Sequence, residues 1–276
     1  MSIFKYKNKE VFYKIDGEIS DDKEIIIILN GIMMSTLSWE IFVEPFSKNN
    51  TLIRFDMFDQ GQSSKLDEDY TQEIQVELLK NLLDFLEVKN VNIVGISYGA
   101  SVALQFAAEY QNYINKLIIA NVVAKTSPWL KAIGDGWNEV AKSRNGLAYY
   151  NISIPYIYSP QFYTSNLTWM EERKKMLIPL FSNEVFLDAM VRLTKSAETH
   201  DVVESLKLIK TKTLILSSEE DYLTPVFEQV YIDKMLPNSN LVIIPECGHA
   251  SMYEKPELFT SITLGFINNN QQKIIV

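Results

Sequence analysis

The sequence predicts an α/β fold: a mostly parallel, eight-stranded sheet flanked by helices, with an inserted helical lid. Three observations carry that expectation. Short aliphatic runs recur along the chain, separated by segments of helical periodicity, which is the pattern of a parallel sheet covered on both faces. One long stretch, Val122 to His200, has no such run and is instead rich in aromatics and prolines. Finally, 276 residues at 47% apolar and 22% charged content suffice for one large core plus an insertion.

The elements follow in order. Ile3–Lys7 and Val11–Ile15 alternate apolar and polar residues around Asn8-Lys9, as an antiparallel hairpin does. Ile25–Leu29 is a continuous aliphatic run, the mark of a strand buried on both faces, and Thr51–Asp56 is a second. Ile74, Leu78, Leu82 and Phe85 are spaced along one face of a helix. Val91–Gly95 is a third buried strand, Ala100–Tyr110 a helix of small residues, and Lys116–Ala120 a fourth strand. After the insertion, in which Pro128, Pro155, Pro160 and Pro179 are expected to separate short helices, the rhythm resumes. Thr213–Ser217 reads as a strand, Val226–Leu236 as a helix, Asn240–Ile244 as the last strand and Pro256–Phe266 as the final helix. The expected division is a core of residues 1–121 and 201–276 and a helical lid of residues 122–200.

Charge and cysteine usage narrow the function. A net charge of −9 supplies no basic field for nucleic acid and none for an anionic membrane surface. No aliphatic run approaches the ~20 residues of a membrane-spanning helix, and Met1–Lys14 lacks the apolar core of a signal peptide. The single cysteine, Cys247, excludes an intrachain disulfide and suits a cytoplasmic protein; it shows no motif and reads as a small buried residue. No Cys/His/Asp cluster has metal-ligand spacing, and the glycines around residue 97 lack the lysine of a phosphate loop and the third glycine of a dinucleotide fingerprint. No metal and no cofactor are expected.

The strongest chemical signal is Gly95-Ile96-Ser97-Tyr98-Gly99, a G-x-S-x-G between the strand Val91–Val94 and a helix opening near Ala100. A turn this tight leaves no room for side chains at Gly95 and Gly99, and it pushes the Ser97 hydroxyl out at the strand's C-terminal end. The helix that follows aims backbone N–H groups at any developing anion.

With that motif in that setting the chain resembles the α/β-hydrolase superfamily, in particular its lidded serine esterases and lactonases, over nearly its whole length. The resemblance implies a serine hydrolase that cleaves a carboxylic ester, lactone or thioester through an acyl-enzyme at Ser97. A serine hydroxyl needs a neighbouring base, for which histidine is best tuned, and the chain has two. His249, in Glu246-Cys247-Gly248-His249-Ala250 after the last strand, occupies the loop where the family carries its base. His200, in Glu198-Thr199-His200-Asp201, reads as a surface or capping residue. The carboxylate that orients the base should come from Glu219, Glu220 or Asp221, after the strand Thr213–Ser217. Asp221-Tyr222-Leu223-Thr224-Pro225 matches the family's D-x-x-x-P, so Asp221 is favoured, with Glu220 in reserve.

Acyl transfer also needs N–H donors at the developing oxyanion. The resemblance assigns these to the backbones of Tyr98 and, in Asn30-Gly31-Ile32-Met33-Met34, of Ile32. The family usually has His-Gly where this chain has Asn30-Gly31, which bears on that loop's conformation. Asp56-Met57-Phe58-Asp59-Gln60-Gly61-Gln62-Ser63 resembles a family loop read here as structural. Met33, Met34, Trp129, Trp137, Met170 and Phe181 are candidates for an apolar acyl pocket, against the simpler reading that they pack lid on core. The lid carries nine Lys/Arg and seven Asp/Glu, a net of +2 in an acidic chain. That asymmetry suggests an acidic carrier protein docking near Arg173, Lys174 and Lys175. Serine at 97 argues against relatives with an aspartate nucleophile. C–C bond hydrolases, perhydrolases and a non-catalytic receptor or scaffold on the same fold stay open as alternatives.

Overall fold

The computed structural model describes residues 2–269. Eight strands form one sheet in the order β1-β2-β4-β3-β5-β6-β7-β8. They are β1 (Ser2–Tyr6), β2 (Lys9–Asp16), β3 (Glu24–Leu29), β4 (Asn50–Phe55), β5 (Val91–Ile96), β6 (Ile114–Ala120), β7 (Lys212–Ser218) and β8 (Ser239–Ile244). β2 pairs antiparallel with β1 and β4, and every pairing from β4 to β8 is parallel. The expected sheet is therefore present. The hairpin turn falls at Lys7-Asn8, one residue earlier than the sequence suggested: Tyr6 pairs with Lys9, and Lys7 and Asn8 both have positive φ (49° and 61°). A two-residue turn with left-handed central residues matches the twist of its strands, and Asn tolerates that region well.

Alternation along the strands sorts the core into two halves. Ile27, Leu29, Val91, Ile93, Leu117, Ile119 and Ile215 face one cluster, with α2 (Glu73–Phe85) and α3 (Tyr98–Tyr110). Ile26, Ile28, Val94, Ile96, Ile118, Ala120, Leu214 and Leu216 face the other. There Trp39, the short α1 (Val43–Ser47) and the C-terminal helices α11 (Ser251–Glu254) and α12 (Pro256–Asn268) pack. In α2 the buried face centres on Leu78, Leu79, Leu82 and Leu83; Phe85 lies outside it, 53% exposed, with its ring 4.9 Å from that of Phe4.

Between β6 and β7 run α4 (Pro128–Lys142), α5 (Gly146–Ile157), α6 (Pro160–Ser165), α7 (Leu167–Phe181), α8 (Glu184–Ser196) and α9 (Val203–Leu206). Pro128 and Pro160 open helices, as expected of a residue whose missing N–H costs nothing there. Pro155 and Pro179 lie inside α5 and α7 instead, each in the last turn, so they hasten an ending rather than prevent a helix. α10 (Val226–Met235) completes the set. No described helix is long and apolar enough to cross a membrane.

Candidate active site

Ser97 sits between β5 and α3 at φ 52°, ψ −117°, a conformation few non-glycine residues adopt. Its amide donates to the carbonyl of Ala120 at 2.9 Å, and its own carbonyl accepts from Ala100 and Ser101, so the turn is fixed from both sides. The two glycines are obligatory for packing. A Cβ at Gly95 would lie 2.7 Å from Ala100 Cα, and one at Gly99 would lie 2.2 Å from the carbonyl oxygen of Leu29. α3 therefore meets the end of β3 backbone to backbone, and Ser97 stands at the floor of a cavity of about 180 Å³.

His249 lines the same cavity from the loop after β8. Its Nδ1 lies 2.7 Å from Oδ2 of Asp221, and both side chains are buried. Asp221 is fully engaged: Oδ1 accepts from the amides of Leu223 and Thr224, and Oδ2 also accepts from the Thr224 hydroxyl. A carboxylate so anchored favours the Nδ1–H tautomer, which leaves Nε2 as the ring's free base. The loop itself is tied down by Asn121, whose Nδ2 donates to the His249 carbonyl at 2.6 Å. Asp221, not the reserve Glu220, is thus the carboxylate that meets the imidazole. Ser97 and His249 share the cavity, but among the described residues no hydrogen bond joins the hydroxyl to the ring.

The loop after β3 is built around Asn30, which is buried. Its Nδ2 donates to the Phe55 carbonyl at 2.9 Å and to Gln60 Oε1 at 3.2 Å, and its Oδ1 accepts from the Trp39 indole at 2.8 Å. A histidine could not make these three bonds at once. Gln60 then donates from Nε2 to the Gly31 carbonyl at 2.9 Å, which also accepts from the Met34 amide. Because a trans peptide sets C=O and N–H on opposite sides, this turns the Ile32 N–H away from Gln60. Neither the Ile32 nor the Tyr98 N–H finds an acceptor among the described residues, and both residues line the cavity. From the sequence Gln60 reads only as part of a structural loop; its contact with the Gly31 carbonyl is invisible without the fold. The rest of that loop is structural as expected, with Asp56 accepting from the amides of Thr36 and Gln62 beneath Gly61.

Of the pocket candidates, Met33, Met34, Trp137 and Phe181 line the cavity. Trp129 does not: it is 57% exposed and its indole donates to the Tyr222 carbonyl. Met170 does not either, being buried inside the helical insertion under Tyr150. Periodicity shows that a residue is apolar-facing, not which side of its helix meets the cavity. Much of the wall that was missed, such as Ile154 and Leu177, comes from the same helices.

His200 is not a surface residue. It is 4% exposed, lines the cavity, and holds Nδ1 at 3.0 Å from Gln105 Nε2 and Nε2 at 2.9 Å from the Val123 carbonyl. With the amide donating, the ring is neutral, and burial pushes its basicity down, against the smaller opposing pull of the Val123 carbonyl. Its polar sequence neighbours gave no sign of this because the partners come from α3 and from the segment after β6. Cys247 is buried as expected, and burial raises its thiol to about 12. Arg173 lines the cavity, whereas Lys175 is exposed and pairs with Glu172.

The family model for the α/β hydrolase fold matches residues 24–256. A crystal structure of an α/β hydrolase enzyme from a Medee basin deep-sea metagenome library is 65% identical, covers all of both chains and superposes with a TM-score of 0.97. The enol-lactonase of Burkholderia xenovorans is 18% identical with a TM-score of 0.85, over 97% of this chain and all of its own. At that identity it attests the fold alone. Among curated proteins, the proline iminopeptidase of Thermoplasma volcanium is 24% identical over 286 residues, covering 94% of each chain. The chain belongs to the α/β-hydrolase fold family.

Proposed function

We propose that the protein is a serine hydrolase that cleaves a carboxylic ester, lactone or thioester through an acyl-enzyme at Ser97. The observation that carries this is the strained Ser97 on the floor of an apolar cavity that His249 also lines, with the His249 ring held by a buried, four-times hydrogen-bonded Asp221. Strain of this kind costs about 1–3 kcal/mol and persists where the surroundings enforce it.

In the proposed reaction His249 Nε2 takes the Ser97 proton as Oγ bonds to the substrate carbonyl carbon. The carbonyl oxygen becomes an oxyanion, met by the Ile32 and Tyr98 N–H groups. The imidazolium then gives the proton to the leaving alkoxide, thiolate or ring oxygen, and the acyl-enzyme remains. Water attacks it, losing its proton to Nε2, and the same proton returns to Ser97 Oγ as the acid departs. The contact between Oγ and Nε2 tightens when substrate binds, as such contacts commonly do. Residues 122–200 act as a cap over the acyl group, and the wall of Met33, Met34, Trp137 and Phe181 favours an apolar chain there.

The test is Ser97→Ala assayed on p-nitrophenyl esters. Turnover should fall by about 10⁴-fold or more while the thermal midpoint stays within a few degrees, since the Ser97 hydroxyl makes no hydrogen bond among the described residues and alanine keeps the same backbone conformation. Retained turnover in the purified variant would remove Ser97 as nucleophile.

A further inference from the structure

Five buried side-chain N or O atoms among the described residues have no hydrogen-bond partner. Two belong to residues that line the cavity: Nε of Arg173, on α7, and Nε1 of Trp137, on α4. Both are N–H groups that can only donate. A buried donor without an acceptor is rare in a folded protein and calls for an explanation.

Arg173 has a second peculiarity. Its guanidinium lies 4.5 Å from the ring centre of Tyr253, 5.2 Å from that of Trp169 and 5.9 Å from that of Tyr158. The rings hold the charge by cation–π attraction but accept no ordinary hydrogen bond. No carboxylate among the described residues pairs with it. The buried Glu254 is already engaged by the amide and hydroxyl of Ser159 and the amide of Gly248. The other cation on the cavity wall, Lys131, is paired with Asp135 and with Glu198, which also lines the cavity. His200 is neutral by burial. The cavity wall thus holds one cation without a carboxylate partner among the described residues, seated in an aromatic cage, with its Nε–H unbonded.

We propose that Arg173 is the recognition group for a carboxylate on the substrate, with the Trp137 N–H as a further donor, so that the enzyme acts on monoanionic esters or lactones of carboxylate-bearing acids or alcohols. A carboxylate matches a guanidinium fork in two parallel hydrogen bonds. A single unpaired cation on the wall of a cavity of about 180 Å³ with mainly apolar lining suits a monoanion better than a dianionic phosphate. This rests on the serine-hydrolase reading above, which supplies the reaction; Arg173 supplies the choice of substrate.

The experiment compares matched pairs: p-nitrophenyl monoesters of dicarboxylic acids from succinate to suberate against neutral p-nitrophenyl esters of equal carbon number, with the butyrate ester of 3-hydroxybenzoate against phenyl butyrate for a charge on the leaving side. At the best length, kcat/KM should favour the anion by about 10–100-fold. Arg173→Gln should collapse that ratio towards unity, Arg173→Lys should leave an intermediate ratio, and Trp137→Phe should lower it by less. A wild-type enzyme with no preference for the anion in any pair, or a ratio untouched by Arg173→Gln in a folded protein, overturns the proposal. If Arg173→Gln does not fold, the lysine and Trp137→Phe variants decide in the same way. Calorimetric binding of the preferred free dicarboxylate to Ser97→Ala, and its loss in Ser97→Ala/Arg173→Gln, reads the site without turnover. A failure of the nucleophile assignment would therefore show as retained turnover in Ser97→Ala, with the anion site still visible.

Discussion

At the scale of single residues, Asn30 and Gln60 show how a departure from a familiar pattern is absorbed. The amide of Asn30 supports Trp39, the Phe55 carbonyl and Gln60 together, and Gln60 in turn sets the Gly31–Ile32 peptide. Gln60→Leu should lower kcat by roughly tenfold, with a smaller change in KM, because the Ile32 N–H, the proposed oxyanion donor, would be displaced rather than removed. Steady-state kinetics on one ester check this; an unchanged kcat would mean that the Ile32 amide keeps its direction without Gln60. The motif around Ser97 was legible because its chemistry is local: three fixed residues between a strand and a helix. Asp221 and His249 were legible through the family pattern that their segments resemble, since position at a strand end alone left Glu219 and Glu220 open. Gln60 and Arg173 were not, since the partners that define them come from other parts of the chain.

At the scale of elements, the junction between α8 and the core bears on how the helical insertion is held. Arg192 on α8 makes a bidentate pair with the buried Asp59, at 2.6 and 3.0 Å, from the loop after β4. Beside it, Ser196 shares a 2.8 Å hydrogen bond with the Tyr98 hydroxyl, and its carbonyl accepts from the Gln72 amide. Arg192→Met should destabilise the protein by about 3 kcal/mol, since it leaves the buried Asp59 without its ion-pair partner and with only the Lys65 ammonium nearby among the described residues. Urea unfolding at neutral pH measures this, and Arg192→Met/Asp59→Leu should recover much of the loss. Recovery absent in the double variant would assign the loss to packing. The strands and the helices α2, α3, α10 and α12 were legible from periodicity, down to one or two residues at their ends; the helices of the insertion were not, since Pro155 and Pro179 lie within helices rather than between them. Which face of each insertion helix meets the cavity was not, as Trp129 and Met170 show.

At the scale of the whole molecule, His200 links folding to pH. It is buried and neutral, with its basicity lowered from the ordinary value of 6.5, chiefly by burial and against the pull of the Val123 carbonyl and the Asp201 charge. The unfolded chain therefore binds this proton more readily than the folded one. Stability from this group is complete above pH 6.5 and is lost as the pH falls below it towards the lower folded value. The thermal midpoint should be level between about pH 7 and 8 and decline towards about pH 5.5. His200→Asn should flatten that decline relative to wild type. Differential scanning fluorimetry across the range is the check; equal slopes in the two proteins would show that other groups carry the acid sensitivity.

The alternation of strands and helices in the core and the G-x-S-x-G turn were legible in the sequence, because each rests on residue type and spacing within a few positions, while the aspartate and histidine were placed by resemblance to a family pattern. The tertiary structure alone decided which side chains share the cavity, that His200 is interior, and that Arg173 has no carboxylate partner among the described residues. Those facts depend on contacts between residues far apart in the chain, and burial and charge pairing are properties of such contacts rather than of any one segment.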